Sequence, residues 1–370
     1  MNKKTIHLIA AARPNFMKIA PLYHALKKQA WAEPEIVHTG QHYDVNMSDA
    51  FFQDLMLPEP HHHLGIGSGS HAEQTGRVMM AYEKLLEEKR PDMVVVVGDV
   101  NSTAACTLAA IKMNGSRPLV AHLEAGLRSF DRTMPEEINR IVTDSIADIL
   151  WTPSPDGDEN LLKEGIDGEK IERVGNIMID SLEMLRSRIE REDALSEYAV
   201  EKGGYGLVTL HRPANVDNKQ TLKMLCEALV GVSKDLPLVF PVHPRTRKNL
   251  EKHHLLETLE NAPGLHLDEP IGYVTFMNLV FNCCMVITDS GGIQEESTYL
   301  GIPCLTLRPN TERPITITQG TNRLCTVDEL EACVKKIIKA EGKDSRKPEL
   351  WDGKTAERVC DSIYKRLSGR

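Results

Sequence analysis

Short runs of apolar and β-branched residues alternate with helical segments along all 370 residues of this chain. The runs that predict strands read TIHLIAA, EIVHTG, MVVVVGD, LVAHLEAG, YGLVTLH, PLVFPVH, MVITDS and PCLTLR. Helices are predicted between or after them, near residues 17–29, 71–88, 102–114, 135–147, 219–233, 273–282, 291–300 and 327–340. This alternation is typical of βαβ units. The sequence therefore predicts an α/β fold built on parallel sheets.

The two halves of the chain carry similar motifs in the same order. ARPN at 12–15 and GDVNST at 98–103 correspond to HRPA at 211–214 and TDSGGI at 288–293, roughly 200 residues further on. A chain of this length also exceeds the usual size of one domain. We therefore expect two Rossmann-like domains facing a central cleft. Their predicted bounds are 1–174, with most acid/base residues, and 175–354, with a helix in 355–370 returning to the first domain.

Composition excludes several classes of function. The net charge is −9 and no block of lysine or arginine stands out, so the electrostatic footprint of a nucleic-acid binder is missing. The longest purely apolar run, residues 93–97, is too short to cross a bilayer. No signal peptide is recognisable, and the eight cysteines include no CxxC pair. We expect a cytoplasmic protein with reduced thiols that binds neither membrane nor nucleic acid.

Three consecutive histidines, His61, His62 and His63, raise the question of a metal site. Consecutive residues do not share a helix face, and Pro58 and Pro60 favour a loop. We therefore expect a loop here and no metal.

Cations cluster at the predicted strand ends of an otherwise acidic chain. An arginine at a helix N-terminus suits a phosphate, although each cation can also pair with a nearby acid. DSGG at 289–292 opens a helix and has the small residues of a phosphate or ribose cradle, with Glu296 as an acceptor for a diol; the alternative is an ordinary capped helix. No glycine pattern indicates nicotinamide binding. The cations are Arg13, Lys18, His211, Arg212, Arg308 and Arg313.

Carboxylates mark the strand ends of the first half. Asp99 follows four valines, Glu124 follows LVAHL, and Glu136 and Glu137 begin the helix after Pro135. Acids at the carboxyl ends of parallel strands are candidates for general acid and base catalysis. For Glu137 the favoured interpretation is that it complements the helix dipole.

The ordered motifs ARPNFMKIAPL, GDVNST, HLEAGLRS, MPEEINR, TLHRPANVD, PVHPRT, TDSGGIQEESTYLGIP and TERP resemble those of the non-hydrolysing UDP-N-acetylglucosamine 2-epimerases over most of the chain. The resemblance implies the two-domain GT-B fold of many glycosyltransferases and a homodimer. It also implies interconversion of UDP-GlcNAc and UDP-ManNAc for surface polysaccharide synthesis, with no cofactor: neither NAD nor a required metal.

The resemblance also assigns roles to residues. Asp99, Glu124, Glu136 and His211 match the catalytic positions of the family. The positions that match substrate contacts are Arg13, Lys18, His211, Phe276, Ser290, Gly291, Gly292, Glu296 and Arg313.

Three positions depart from the family pattern. Asn15 stands where many members have Glu, and Ile271 where many bacterial members have a Gln near the uracil. Tyr43 replaces the arginine that helps bacterial members bind a second, activating UDP-GlcNAc. We therefore expect nearly hyperbolic substrate saturation.

The chemistry that the resemblance implies is anti elimination of UDP to 2-acetamidoglucal, followed by readdition. Three alternatives stay open: a glycosyltransferase of the same fold, a hydrolysing 2-epimerase, and a catalytically silent nucleotide-sugar sensor. The sequence does not say which carboxylate removes the C2 proton and which returns it.

Overall fold

The computed structural model describes residues 3–40, 54–339 and 346–369. Its strands are β1 (Lys4–Ala10), β2 (Ala32–His38), β3 (His62–His63), β4 (Met93–Val97), β5 (Leu119–Leu123), β6 (Ile149–Thr152), β7 (Ile171–Arg173), β8 (Gly206–Thr209), β9 (Leu238–Pro241), β10 (Leu265–Asp268), β11 (Met285–Thr288), β12 (Cys304–Thr306) and β13 (Asn322–Leu324).

The helices of the first half are α1 (Arg13–Lys27), α2 (His71–Lys89), α3 (Asn101–Ile111), α4 (Pro135–Ile146), α5 (Pro155–Lys163) and α6 (Ile177–Ile189), with a 3-10 turn at Gly168–Lys170. The remaining helices are α7 (Ala194–Glu197), α8 (Pro213–Val216), α9 (Lys219–Ser233), α10 (Pro244–Lys252), α11 (Leu256–Glu260), α12 (Tyr273–Asn282), α13 (Gly291–Leu300), α14 (Ile315–Thr318), α15 (Leu330–Lys339) and α16 (Thr355–Ser368).

Two parallel sheets organise the chain, which confirms the predicted α/β class. The seven-stranded sheet has the order β3-β2-β1-β4-β5-β6-β7, and the six-stranded sheet has the order β10-β9-β8-β11-β12-β13. Every residue of β4 and β5 is buried, because helices cover both faces of a parallel sheet. In each sheet the chain order reverses beside the first strand, which is the arrangement that places ligands at the carboxyl ends of doubly wound sheets.

The chain divides into two compact units. Unit 1 comprises Met1–Met184 and Glu349–Arg370, and unit 2 comprises Leu185–Pro348. Helix α16 packs on α1 within unit 1, and its first amides, those of Thr355 and Ala356, donate to Asp180 at 3.1 and 2.7 Å. The predicted domain bounds at 174/175 and 354/355 stay a prediction.

Several local predictions were wrong. Helix α1 begins at Arg13 instead of near 17. Pro14 fits a first helical turn, and the Asn15 side chain accepts a hydrogen bond from the amide of Ala12, the N-cap residue. The predicted loop at the histidine run contains β3, whose His62 pairs with Val37 of β2. Short strands such as β7 and β13 have too few residues to give a pattern. No helix in the described ranges is long and apolar enough to span a membrane.

Candidate functional site

Glu124 stands at the carboxyl end of β5 in a left-handed backbone conformation, with φ +73°. Its amide donates to the Trp151 carbonyl at 3.1 Å, at the matching end of β6, and the residue is 4 % exposed. A non-glycine residue in this conformation costs about 1–3 kcal/mol and persists only where the surroundings impose it. Such residues concentrate at functional sites, and here one of the predicted catalytic acids occupies the position.

The Glu124 carboxylate is held by a buried lysine. Lys18 Nζ, from α1, donates to Glu124 Oε2, and both side chains are almost inaccessible to solvent. Gly98 makes room for the pair, because a Cβ at this position, where φ is +64°, would lie 3.0 Å from Lys18 Nζ. The other oxygen, Oε1, is buried with no hydrogen-bond partner among the described residues. Glu124 thus keeps one carboxylate oxygen whose hydrogen-bonding capacity is unused.

Asp99 follows β4 and pairs with the buried guanidinium of Arg140, from α4. The same guanidinium donates to Glu137 through Nη2 at 2.6 Å and Nε at 3.1 Å. Glu137 is buried and also accepts from the amides of Ser129 at 3.0 Å and Phe130 at 2.8 Å. Burial alone would raise the pKa of Glu137, but these donors hold it below its ordinary value. Glu137 does lie in the first turn of α4, as the favoured interpretation requires, but its role extends beyond the helix dipole to a buried ion pair and two amide contacts.

Glu136 differs from its neighbour. It lies in the first turn of α4, is only partly buried, and has no hydrogen-bond or ion-pair partner within residues 3–40, 54–339 and 346–369. The two adjacent acids therefore have opposite surroundings, and Glu136 is the one that a ligand can reach.

A buried polar network that the sequence analysis missed lies beneath these acids. His122 of β5 is fully buried, with Nδ1 2.6 Å from Asp144 Oδ1 and Nε2 2.8 Å from the Gly98 carbonyl. Asp144 also accepts from Arg128 at 2.7 Å and from the amide of Gly126 at 3.1 Å. These contacts fix the backbone next to Asp99 and Glu124. The available signal was a histidine in the middle of an apolar strand, LVAHL.

In unit 2 the carboxyl end of the sheet is organised around Asp289, which follows β11 and is fully buried. Its carboxylate accepts from the amides of His211 and Arg212 at 3.0 and 2.9 Å, and His211 Nδ1 lies 3.1 Å from Oδ1. Burial would raise the pKa of Asp289, but His211 and the Arg212 amide keep it below its ordinary value. Asp289 thus orients His211, a role that the sequence analysis did not assign.

Helix α13 begins beside these residues. Ser290 occupies the N-cap position but makes no side-chain cap bond, so the alternative of an ordinary capped helix is wrong. A Cβ at Gly291 would lie 2.8 Å from Arg313 Nη1, whereas one at Gly292 would meet nothing within 4 Å. Arg313 therefore lies directly over the helix start, and the first turn is open at Gly292. A helix N-terminus beside a guanidinium is a suitable site for an anion.

Three arginines of unit 2 that the sequence singled out, Arg212, Arg308 and Arg313, lie beside buried acids. Arg313 lies 2.8 Å from Glu295 and 2.9 Å from Glu312. Arg308 lies 2.9 Å from Glu312, and Arg212 lies 3.9 Å from it. Burial would raise the pKa of Glu312, but Arg313 and Arg308 hold it far below its ordinary value. The interpretation that the cations pair with nearby acids is thus correct for Arg212, Arg308 and Arg313, as it is for Lys18 with Glu124. The acids also hold the guanidinium groups in place.

Glu296, one turn into α13, accepts from the Tyr273 hydroxyl at 2.6 Å. Burial raises the pKa of Glu296 to about 7, and the nearby Glu295 adds to the effect. Phe276 is on α12, three residues after Tyr273, and is partly buried. A carboxyl group on a helix with an open start can serve a ribose, and an aromatic ring such as that of Phe276 can serve a base.

Comparison with known proteins decides the family. The model of the family described as UDP-N-acetylglucosamine 2-epimerase matches residues 24–364. The UDP-N-acetylglucosamine 2-epimerase of Methanocaldococcus jannaschii is 42% identical over 360 residues, which is 96% of this chain and 97% of that protein. This chain belongs to the UDP-N-acetylglucosamine 2-epimerase family. The resemblance seen in the sequence is confirmed.

The chain is also similar to an epimerase of a different nucleotide sugar and to a solved structure with bound ligands. A UDP-2,3-diacetamido-2,3-dideoxy-D-glucuronate 2-epimerase of Pseudomonas aeruginosa is 40% identical over 85% of this chain and 86% of that protein. The crystal structure of the M. jannaschii UDP-GlcNAc 2-epimerase in complex with UDP-GlcNAc and UDP has a TM-score of 0.88 and 40% identity, and covers 98% of this chain and 99% of that one.

A likeness of fold alone extends to the lipopolysaccharide outer core galactosyltransferase WaaB, with a TM-score of 0.57 and 14% identity over 98% of this chain and 99% of that one. The predicted GT-B-like fold is confirmed.

The structure describes two of the three positions that depart from the family pattern. Asn15 has a structural role, because its side chain donates to the Val97 carbonyl at 3.1 Å and accepts from the Ala12 amide at 3.1 Å. Ile271 is partly buried before α12. Tyr43 lies outside the described residues. The catalytic and binding roles assigned to individual residues stay predictions for this member of the epimerase family.

Proposed function

We propose that this protein interconverts UDP-GlcNAc and UDP-ManNAc by inverting C2, without hydrolysing the sugar nucleotide. The single observation that carries the proposal is the Glu124–Lys18 pair: a buried, conformationally strained acid with one unused oxygen, at the carboxyl end of β5. The similarity to UDP-N-acetylglucosamine 2-epimerases supports epimerisation at C2. We further propose that it works as a cytoplasmic homodimer that supplies ManNAc units for surface polysaccharide.

The reaction needs help at two bonds. The C2 proton is barely acidic because its neighbour is an acetamido nitrogen, so direct deprotonation is disfavoured. In the proposed route the C1–O bond breaks, its electron pair leaves with UDP, and loss of the C2 proton forms the C1–C2 double bond of 2-acetamidoglucal. Readdition of UDP, with proton delivery to the opposite face of C2, gives the epimer. No step of this route is an oxidation or a reduction, so the route uses no NAD.

In this proposal, unit 2 stabilises the negative charge of the departing diphosphate. His211 and Arg313, the latter held by Glu295 and Glu312, and the open start of α13 at Ser290, Gly291 and Gly292 offer donors to an anion. Arg13, at the start of α1, would add a further cation. Preorganised donors of this kind lower a barrier by several kcal/mol when charge develops against them. Glu296 would accept from the ribose hydroxyls, and Phe276 would lie against the uracil.

Proton transfer is the contribution that we assign to unit 1. Inversion at C2 requires one group to remove a proton from one face and another to deliver a proton to the other face. Asp99 and Glu124 are each held by one buried cation, whereas Glu136 has no such partner in the described part of the chain. The three carboxylates together supply the two groups, and the order in which they act stays open.

The Pseudomonas aeruginosa relative supports a second candidate substrate, UDP-2,3-diacetamido-2,3-dideoxy-D-glucuronate, because its identity to this chain nearly equals that of the M. jannaschii enzyme. The chemistry at C2 would be the same. The glucuronate differs by a second acetamido group and a carboxylate on the sugar.

The test is to incubate the protein with each nucleotide sugar alone and identify the products by NMR. We expect a mixture of UDP-GlcNAc and UDP-ManNAc, with no free sugar. Release of free ManNAc and UDP would show a hydrolysing epimerase. An unchanged substrate would indicate a transferase lacking its acceptor or a sensor, and conversion of the glucuronate alone would reassign the substrate. Glu124→Gln is the inactive control.

A further inference from the structure

Three ligand-type side chains converge on one face of the seven-stranded sheet in unit 1. His7 of β1 is directly opposite Glu35 of β2 in the parallel register. His62 of β3 pairs with Val37, two residues beyond Glu35 and therefore on the same face. The donor atoms of His7, Glu35 and His62 all lie within 4.8 Å of one another. The sheet register itself brings the three side chains together.

The separations suit a small metal ion. His7 Nε2 is 3.4 Å from Glu35 Oε2, and His62 Nε2 is 2.8 Å from the same oxygen. Tetrahedral ligands that bind Zn²⁺ at about 2.0–2.1 Å are about 3.3–3.4 Å from one another. The first pair already has this spacing, and the second needs to lengthen by about half an ångström. The side chains of Glu35 and His62 are 24% and 16% exposed, so water can complete the coordination.

His7 supplies an independent observation. It is fully buried, and its Nε2 makes no hydrogen bond within the described residues although it faces the Glu35 carboxylate. Its other nitrogen, Nδ1, lies 3.1 Å from the Tyr82 hydroxyl of α2. When Nδ1–H donates to that hydroxyl, the lone pair of Nε2 points at the cluster. A hydrogen-bonded second ring nitrogen is the usual support of a metal-binding histidine.

We propose that His7, Glu35 and His62 form a site for one zinc-type divalent ion, with water as the remaining ligand. The ion would join β3, an edge strand of two residues, to β1 and β2. The cluster lies in the middle of β1, whereas the predicted substrate residues Arg13 and Lys18 follow its carboxyl end. The site is therefore structural and independent of the epimerase reaction.

The test is calorimetric titration of untagged, chelator-treated protein with Zn²⁺, and spectroscopic titration with Co²⁺. His62→Ala and Glu35→Gln each remove a ligand at a partly exposed position. Tyr82→Phe keeps all three ligands and removes only the support of His7. His63→Ala is the matched control, because it deletes the neighbouring imidazole of the same strand and no ligand. Circular dichroism of each metal-free variant verifies that it is folded.

We expect one equivalent of metal to bind to wild type and to His63→Ala, with the visible absorption of low-coordinate Co²⁺. The ligand variants should lose this binding, and Tyr82→Phe should weaken it about tenfold or more. Saturating Zn²⁺ should raise Tm in wild type and in His63→Ala but not in His62→Ala. Absence of binding to wild type, equal binding by all variants, or a thiolate charge-transfer band that moves the ion to a cysteine would each overturn the proposal.

Discussion

The carboxyl edges of the two sheets have the same topology but opposite charge arrangements. In unit 1, acids reach the strand ends and each is held by one buried cation, as in Glu124 with Lys18 and Asp99 with Arg140. In unit 2, the buried Asp289 also follows a strand, but arginines lie along the corresponding edge and buried acids hold them, as in Arg313 with Glu295 and Glu312. In the proposed function, one fold would serve proton transfer in unit 1 and anion binding in unit 2, because side chains and not topology set the chemistry.

Backbone conformation differs in the same way. At the edge of the seven-stranded sheet, Gly98 and Glu124 both have positive φ. In unit 2 the non-glycine residues of positive φ within the described ranges are Ala199 and His254. Neither of them directly follows a strand of the six-stranded sheet. Within the described ranges, Glu124 is the one non-glycine residue of positive φ that directly follows a strand, so a strained position coincides with a predicted catalytic acid. An anion-binding edge needs only amides and guanidinium groups in relaxed conformations.

Removing the strained acid should separate the two functions most sharply. Glu124→Gln keeps the shape of the side chain but cannot exchange a proton, so we expect turnover to fall about 10²- to 10⁴-fold. UDP affinity by calorimetry should stay close to that of wild type, because Glu124 is not among the residues assigned to UDP. Glu159→Gln, at an exposed position of α5, is the control. A Glu124→Gln variant with substantial turnover would break the comparison.

The adjacent acids of α4 distinguish structure from function. Glu137→Ala removes the buried partner of Arg140 and the acceptor of two amides, so the free energy of unfolding should fall by about 3–5 kcal/mol. Glu136→Ala should change it by no more than about 0.5 kcal/mol while losing most turnover. Urea unfolding and a product assay measure the two effects. Equal loss of stability in both variants would contradict the assignment of separate roles.

The buried carboxyl of unit 2 should give a pH dependence. Because the pKa of Glu296 is raised from 4.5 to about 7, folded protein holds a proton in this window that unfolded protein releases. Stability from this group is thus present below about pH 4.5 and lost as pH rises through 7, by roughly 3 kcal/mol in all. Glu296→Gln should lose correspondingly less stability between pH 5 and pH 8 in urea titrations. Parallel pH profiles would disprove the raised pKa.

Arg13 of unit 1 tests whether anion binding belongs to unit 2 alone. Arg13 begins α1 and matches a nucleotide-sugar contact of the family, so Arg13→Ala should weaken UDP binding by about 1.5–3 kcal/mol, or roughly 10- to 100-fold. Arg77→Ala, an exposed arginine of the same unit, should leave the affinity unchanged. Unaltered UDP affinity in the Arg13 variant would confine anion binding to unit 2.

The sequence predicted the features that depend on local residue patterns, namely the central strands and the residues at their ends. Runs such as MVVVV specify buried parallel strands, and the acids and glycines that end them marked the candidate residues. Contacts between distant segments were not predictable in this way: His122 with Asp144, Asp289 with His211, and Asp99 with Arg140 depend on packing. The positive φ of Glu124 was also not predictable, because no local sequence pattern distinguishes it from an acid that follows a strand in an ordinary conformation.

The central claim is that carboxylates at the edge of the unit 1 sheet transfer protons at C2, and solvent hydrogen tests it most directly. Carboxyl groups that exchange with water while the glucal is held will return deuterium. Incubation with UDP-GlcNAc in deuterium oxide, without NAD or an acceptor, should give UDP-ManNAc and recovered UDP-GlcNAc that both carry deuterium at C2. Conversion with fully retained protium at C2 would contradict the account.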